Sequence, residues 1–364
     1  MNILPSHLQP RGRGAVSNAS GRYEREARER FDDGWGAHDE AVGQVETELK
    51  PIASRTAFSY TRSPDLPFDR TINPYKGCEH GCFYCYARPN HAYLGLSSGL
   101  DFETKIFFKP DLVRLLIKEM DNPRYRPGAP MVGGDTDAYQ PAERSLRLTR
   151  GALETLWAYR NPACIVTKSA LVQRDVDILA PMARLGLVKV AISITTLDRK
   201  LARAMEPRAA TPGRRLETVA ALSAAGVPVA VMAAPLIPAI NDHELEAILK
   251  AAAEAGAREA SYVLLRLPHE LKTLAREWLA ERRPDAAKRT MSLLRQSHGG
   301  KDYVSDWSVR GTGTGPYAES IAMRFQAAAK RAGLNRARLK LRTDLFRRPD
   351  RSGQLALFDG EEAS

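Results

Sequence analysis

From about residue 68 onward, apolar and polar positions fall into two alternating rhythms. Short β-rich runs come at 70–75 (RTINPY), 129–134 (APMVGG), 163–168 (ACIVTK), 188–195 (VKVAISIT), 228–237 (PVAVMAAPLI) and 260–267 (ASYVLLRL). Between them lie the stretches DLVRLLIKEM, ERSLRLTRGALETLWAY, DVDILAPMARLG, RLETVAALSAAG and DHELEAILKAAAEAG, whose apolar residues recur at helical spacing. Asp111, Asp175 and Asp242 stand at N-cap positions, and Gly186, Gly226 and Gly256 stop three of the runs. The strand runs lack the alternation of a half-exposed sheet, so they predict strands buried on both faces and hence a parallel sheet. Six β-then-α units in a row predict an α/β fold, a partial (β/α)6 TIM-type barrel rather than a flat doubly wound sheet. Either architecture puts function at the C-terminal ends of the strands.

The flanks read differently. Residues 1–50 mix Gly, Arg, Glu and Asp with few aliphatics, too little apolar surface to offset chain entropy, and predict a mostly disordered arm. Within it, opposite charges three and four apart in EREARERF predict a transient helix. Residues 51–268 carry the barrel, 269–346 a basic and mainly helical C-terminal extension, and 347–364 a flexible tail.

Composition adds two constraints. An apolar fraction of 43% over 364 residues supports a real core and excludes a wholly disordered chain. No apolar run approaches the ~18 residues of a membrane span, and the start MNILPSHLQPRGRG has neither an apolar h-region nor a small-residue cleavage site, so a cytoplasmic address is expected. The net charge of +11 is unevenly placed: residues 1–50 hold 7 basic and 9 acidic side chains, and residues 268–353 hold 19 and 9. Nine basic residues against two acidic ones between Lys330 and Arg351 would attract phosphate backbones, although a solvated face has the same composition.

Three of the four cysteines, Cys78, Cys82 and Cys85, fall within eight positions in CEHGCFYC, directly after the first predicted strand. Disulfide frameworks spread their pairs to staple distant loops, so this cluster reads as a metal site. Three thiolates on so short a loop can grip three corners of an iron–sulfur cubane and leave the fourth iron without a protein ligand. A cluster used for electron transfer alone would be closed by a fourth cysteine, and Cys164 lies at the wrong end of a strand. The competing reading is a zinc site of three cysteines with His80 or His91, in a basic protein that holds nucleic acid without redox chemistry.

The CxxxCxxC spacing after the first strand of a (β/α) barrel, with Tyr84 just before Cys85, resembles the signature of radical S-adenosylmethionine (SAM) enzymes. The resemblance covers roughly residues 68–268, and INPYKGCEHGCFYCYARP is similar to the spore photoproduct lyase branch, often labelled DNA repair photolyase-like. It implies an enzyme with a [4Fe-4S] cluster on Cys78, Cys82 and Cys85. SAM would chelate the open iron and be cleaved reductively to a 5′-deoxyadenosyl radical, which abstracts hydrogen from a substrate such as nucleic acid in repair. An electron donor such as flavodoxin or ferredoxin is implied with it. Tyr84 would lie against the adenine. Gly133, Gly134 and Asp135 match the turn that receives the SAM amino group, where glycine lets backbone approach and a carboxylate suits an ammonium. Lys168 and Ser193 are similar to the branch's contacts to SAM carboxylate and ribose, and Arg208 is a further candidate for the carboxylate. One departure stands out: the lyase uses a cysteine in the turn after the second strand to return hydrogen to its product radical, and GGDTDAYQP contains none. Direct repair of the spore thymine dimer is therefore not expected unless Tyr84, Tyr86 or Tyr139 relays the hydrogen atom.

Two further segments carry patterns of their own. GTGTGPYAE sets three glycines ahead of Pro316 at a helix start, which suits either a flexible joint or an anion cradle. Gln354 to Phe358 (QLALF) resembles the short peptide by which bacterial replication and repair enzymes dock on the DNA sliding clamp.

Overall fold

The computed structural model describes residues 12–24 and 45–349. Ten strands lie among them: β1 (Glu48–Pro51), β2 (Phe58–Tyr60), β3 (Arg70–Ile72), β4 (Tyr75–Lys76), β5 (Lys105–Phe108), β6 (Met131–Val132), β7 (Ala163–Thr167), β8 (Val188–Ser193), β9 (Val229–Leu236) and β10 (Glu259–Leu264). The helices are α1 (Leu100–Thr104), α2 (Leu112–Asp121), α3 (Glu143–Leu146), α4 (Leu148–Ala158), α5 (Val176–Arg184), α6 (Arg199–Met205), α7 (Pro212–Ala224), α8 (Leu245–Glu254), α9 (Leu271–Arg282), α10 (Pro284–Ser297) and α11 (Gly315–Arg331). Among the described residues no helix is long and apolar enough to cross a membrane.

The sheet runs β10-β9-β8-β7-β6-β3-β2. All six strands expected from the sequence are parallel and in chain order, the expected partial (β/α)6 barrel, and β2 adds an antiparallel edge. Burial explains why: Ile165, Val190, Ile192, Val229 and Val231 are all at most 2% exposed, with helices packed outside. On α2, for example, Leu112, Leu115, Leu116 and Met120 form one buried stripe, each burial contributing about 2 kcal/mol. Gly186, Gly226 and Gly256 adopt positive φ where the sequence predicts helix stops.

Several boundaries differ from the sequence reading. The first strand run breaks at Pro74, which has no N–H to give a ladder. Beyond it, β4 leaves the barrel for a small sheet of order β1-β5-β4. The run 143–159 is two helices split at Arg147, which sits at φ 51°. Glu143 folds its buried carboxylate onto the N–H groups of Thr149 and Arg150 and so starts the second helix. Asp175 stands at the N-cap of α5 but makes no capping bond; its buried carboxylate takes Tyr139 Oη at 3.0 Å and Arg150 and Arg174 instead. Asp242 lies one residue past the cap, Asn241, and binds Tyr317 Oη at 2.8 Å.

The flanks are tied in by polar contacts that composition does not reveal. Of the arm expected to be mostly disordered, residues 12–24 lie against the barrel, held by a buried carboxylate described below, and β1 extends the small sheet. EREARERF, past its first residue, and the clamp-like Gln354–Phe358 lie outside the described residues. The GTGTG run is tied to β10 and α10: Gly311 O accepts from Leu264 N at 2.8 Å, Thr314 N donates to Ser297 O at 2.9 Å, and Gly313, at positive φ, packs closely against Ser297 and Leu264. The helical extension shares a core with the loop of cysteines, since Cys82, Phe83 and Tyr84 pack with Leu271, Trp278 and Leu294. Beyond α11 the basic run crosses the face where the strands begin. Asn335 N bonds Arg258 O, Arg342 N bonds Gly186 O, Arg347 N bonds Tyr159 O, and Arg348 reaches Met120 O and Asn122 O. These contacts put it at the end of the barrel opposite the cysteines.

Candidate functional site

Cys78, Cys82 and Cys85 sit on the loop that follows β4, over the C-terminal ends of the barrel strands. Cys78 and Cys82 are 6% and 8% exposed, and burial pushes all three thiols up. The loop is fixed on every side. Cys78 N donates to Phe102 O at 2.9 Å. The amide of Gln140 brackets Cys78, accepting from Glu79 N at 3.0 Å and donating to Gly77 O at 3.1 Å. Arg88, completely buried, donates through Nε to Cys82 O at 2.8 Å and through Nη1 to Ser98 O and Gly99 O. Its charge is answered by the equally buried Glu103.

Glu103 also accounts for the N-terminal segment. Its two oxygens accept from Gly14 N at 2.9 Å and Ala15 N at 2.8 Å, while Arg13 donates to Glu103 O at 2.8 Å. A Cβ on Gly14 would lie 1.7 Å from the carbonyl oxygen of Gly81, so only glycine lets this segment cross the cysteine loop.

The residues singled out from the sequence gather here. Tyr84 is buried, edge-on to Phe83 and 5.7 Å from the Lys168 ammonium. Its hydroxyl donates to Glu206, which accepts also from Thr195 Oγ1 and pairs with Arg215. Arg215 in turn donates to Ser193 O at 3.0 Å, so one charge pair aims Tyr84 and Ser193 together. Gly133 turns at φ 80°, its N–H on Ile72 O. Asp135 N is held by Asn73 Oδ1 at 3.0 Å, and its carboxylate, pushed up by burial, takes Asn90 Nδ2 at 2.7 Å. Gly134 O accepts from Tyr86 Oη. Lys168 N donates to Asp137 Oδ2 at 2.8 Å, and Thr167 Oγ1 to Asp137 Oδ1 at 2.7 Å. Arg208 rests on the cysteine loop, its N on His80 O and its guanidinium 3.1 Å from Glu79.

The groups considered for other roles are elsewhere engaged. His80 Nδ1 lies 3.3 Å from Asp137 Oδ2, and His91 Nε2 lies 3.1 Å from Lys105 O. Burial would raise Asp137, but His80 and the N–H and O–H donors overcome it and hold the carboxyl low. Among the described residues no three His, Cys, Asp or Glu side chains converge as they would on a single metal ion. Cys164 opposes Met131 and Lys189 at the start of β7, the end away from Lys168. Of the tyrosines, Tyr139 is sealed in the core on Asp175 and Tyr84 on Glu206; Tyr86 is 45% exposed at the barrel mouth.

Glu103, Glu206, Arg88 and Arg215 did not emerge from the sequence. Each is a charged residue inside a helix or turn, with nothing local to distinguish it from a solvated one. The model of the Radical SAM superfamily matches residues 72–252, the span from β3 into α8 that carries this loop and these strand ends. The chain belongs to the radical SAM superfamily. It is 36% identical over 233 residues to an uncharacterized protein of Mycobacterium tuberculosis, covering 64% of this chain and 68% of that one. To an uncharacterized protein of Methanocaldococcus jannaschii it is 26% identical over 197 residues, 54% of this chain and 71% of that one. Among solved structures, a cysteine-to-serine mutant of spore photoproduct lyase matches with TM-score 0.58 at 14% identity, covering 86% of this chain and 87% of that one. Spore photoproduct lyase complexed with dinucleoside spore photoproduct matches with TM-score 0.57 at 16% identity, covering 79% and 80%. At such identity these structures share the fold. The superfamily match makes this chain an enzyme of the radical SAM class.

Proposed function

We propose that Cys78, Cys82 and Cys85 hold a [4Fe-4S] cluster with one open iron, that SAM binds across the strand ends beside it, and that the substrate is a nucleic acid. The observation that carries the reading is three cysteines on one braced loop, Cys78 and Cys82 buried and Cys85 partly so. Burial favours their neutral form, so as thiolates they call for a compact cationic partner. A zinc ion would need four donors converging at ~2 Å, and neither histidine nor Cys164 is placed to complete such a set.

Bound there, the cluster and SAM supply a reductively generated 5′-deoxyadenosyl radical that abstracts a hydrogen atom. The protein's part is binding and orientation. Asp135 accepts the SAM ammonium, with Gly133 and Gly134 allowing close backbone approach. Lys168, above the Tyr84 ring, meets the carboxylate, and Ser193 meets the ribose. Tyr84, held by Glu206, forms the adenine wall. Arg208 acts through Glu79, fixing the cysteine loop. Trp278 stacks flat on Phe83 at 3.8 Å and keeps water from the loop's outer side.

A nucleic-acid substrate is supported by the fold shared with a lyase whose structure holds a dinucleoside photoproduct. The basic run 330–349 lies on the opposite barrel face and would hold flanking strand, not the reacting base. The test is anaerobic reconstitution, then reduction by dithionite with SAM and deuterated oligonucleotides. Iron and sulfide uptake, 5′-deoxyadenosine formation and label in that product are expected. Absence of iron and sulfide would remove the chemistry; unlabelled 5′-deoxyadenosine with every oligonucleotide would remove the substrate class.

A further inference from the structure

Just past β10 the guanidinium of Arg266 lies 5.4 Å from the ring centroid of Tyr86, the residue that follows Cys85. Its Nη2 is 3.4 Å from Tyr303 Oη, a long contact, and its Nε is buried without a partner. Tyr303 faces the ring of His298 at 6.2 Å and 70°. His298 is 2% exposed, and neither of its ring nitrogens has a hydrogen-bond partner. Native proteins pair nearly all buried polar groups, so three unpartnered nitrogens on two residues that both neighbour Tyr303 point to a missing partner. Arg310, which also acts on Tyr86, is already answered by Asp65 at 2.6 and 2.7 Å.

We propose that Arg266, Tyr303 and His298 form a subsite for one phosphate group of the substrate, at the barrel mouth beside Tyr86. A guanidinium, a hydroxyl and an imidazole N–H are all hydrogen-bond donors, which suits an oxyanion and not a cation. The position fits as well: Arg266 extends from the end of the sixth barrel strand, and the Tyr86 ring it covers is joined to the cysteine loop. A phosphate held there brings the adjoining sugar and base over the strand ends. The subsite deepens the nucleic-acid reading above and rests on it.

The test is calorimetric titration of the reconstituted holoenzyme with thymidylyl-thymidine, with its uncharged methylphosphonate counterpart, and with thymidine 5′-monophosphate. The phosphodiester is expected to bind about tenfold more tightly than the methylphosphonate. Arg266→Met should remove that difference, and Tyr303→Phe should reduce it about threefold. Binding of the monophosphate with the same sensitivity to Arg266→Met assigns a terminal phosphate; binding of the dinucleotide alone assigns an internal diester. Melting curves and iron content check the fold of both variants, and Tyr303→Phe, which loses one oxygen, carries the test if Arg266→Met does not fold. Equal affinity for charged and uncharged dinucleotides, undiminished binding by the variants, or no binding of either phosphate compound to the wild type overturns the subsite. SAM cleavage without substrate is measured alongside, so that failure of the subsite is told apart from failure of the cysteine site.

Discussion

The phenol of Tyr84 donates to the buried carboxylate of Glu206, and this contact joins the cysteine loop to the far side of the barrel mouth. Glu206 ends α6 and is paired with Arg215 on α7, which also donates to Ser193 O and Ala210 O. Tyr84, between the second and third cysteines, is thus aimed by a buried charge pair that also acts electrostatically on the Cys82 thiol. Both partners are at most 2% exposed, so the pair is held as a unit.

Replacing Glu206 by Gln leaves Arg215 buried without its counter-charge, which costs about 3–5 kcal/mol when a buried pair is broken. Urea unfolding of the metal-free protein should show that loss. SAM affinity should fall with it, because Tyr84 and Ser193 lose their common anchor. An unchanged midpoint would mean that the pair does not brace the loop.

Ala at Cys78, Cys82 or Cys85 should each abolish iron and sulfide uptake on reconstitution, with loss of the brown chromophore and of SAM cleavage. Cys164→Ala should retain all three, since that residue lies at the opposite end of β7. Cluster content after reconstitution is the measurement. Retention of a full cluster by any one of the three variants argues against its ligand role.

Gly14→Ala should push residues 13–17 off the cysteine loop, because the added Cβ meets backbone that cannot yield. The cost is about 1–3 kcal/mol, read as a lowered melting temperature. Iron should also be lost faster in air, as the Glu103 contacts to Gly14 and Ala15 open. Equal melting and equal iron retention would show that the segment is not a brace.

His91 gives a pH signature. Burial drives it down from 6.5 to about 4, so between those values the unfolded chain binds the proton and the folded chain does not. Stability is complete above pH 6.5 and is lost as pH falls toward 4, by about 3 kcal/mol in total. His91→Phe keeps a ring between Phe102 and Phe107 and should flatten this part of the stability curve. The same slope in both proteins would assign it to other groups.

The sequence was legible where physics is local. Strand and helix periods gave the six units in order, positive-φ glycines marked the helix ends, and the spacing of three thiols pointed to the site. Pro74, Glu143 and Asp175 departed from local reading because each answers a tertiary demand. Pro74 releases β4 to another sheet, Glu143 caps a neighbouring helix, and Asp175 gathers two arginines and a tyrosine.

What the sequence by itself determined is the alternation of strand and helix and the grouping of three cysteines on one short loop, since both depend on residues close in the chain. Tertiary structure alone decided that Gly14 crosses Gly81, that Glu206 aims Tyr84, and that the basic run lies behind the barrel. Those pairings join distant segments through burial and charge, and a lone Glu or Gly carries no local sign of the partner that will close upon it.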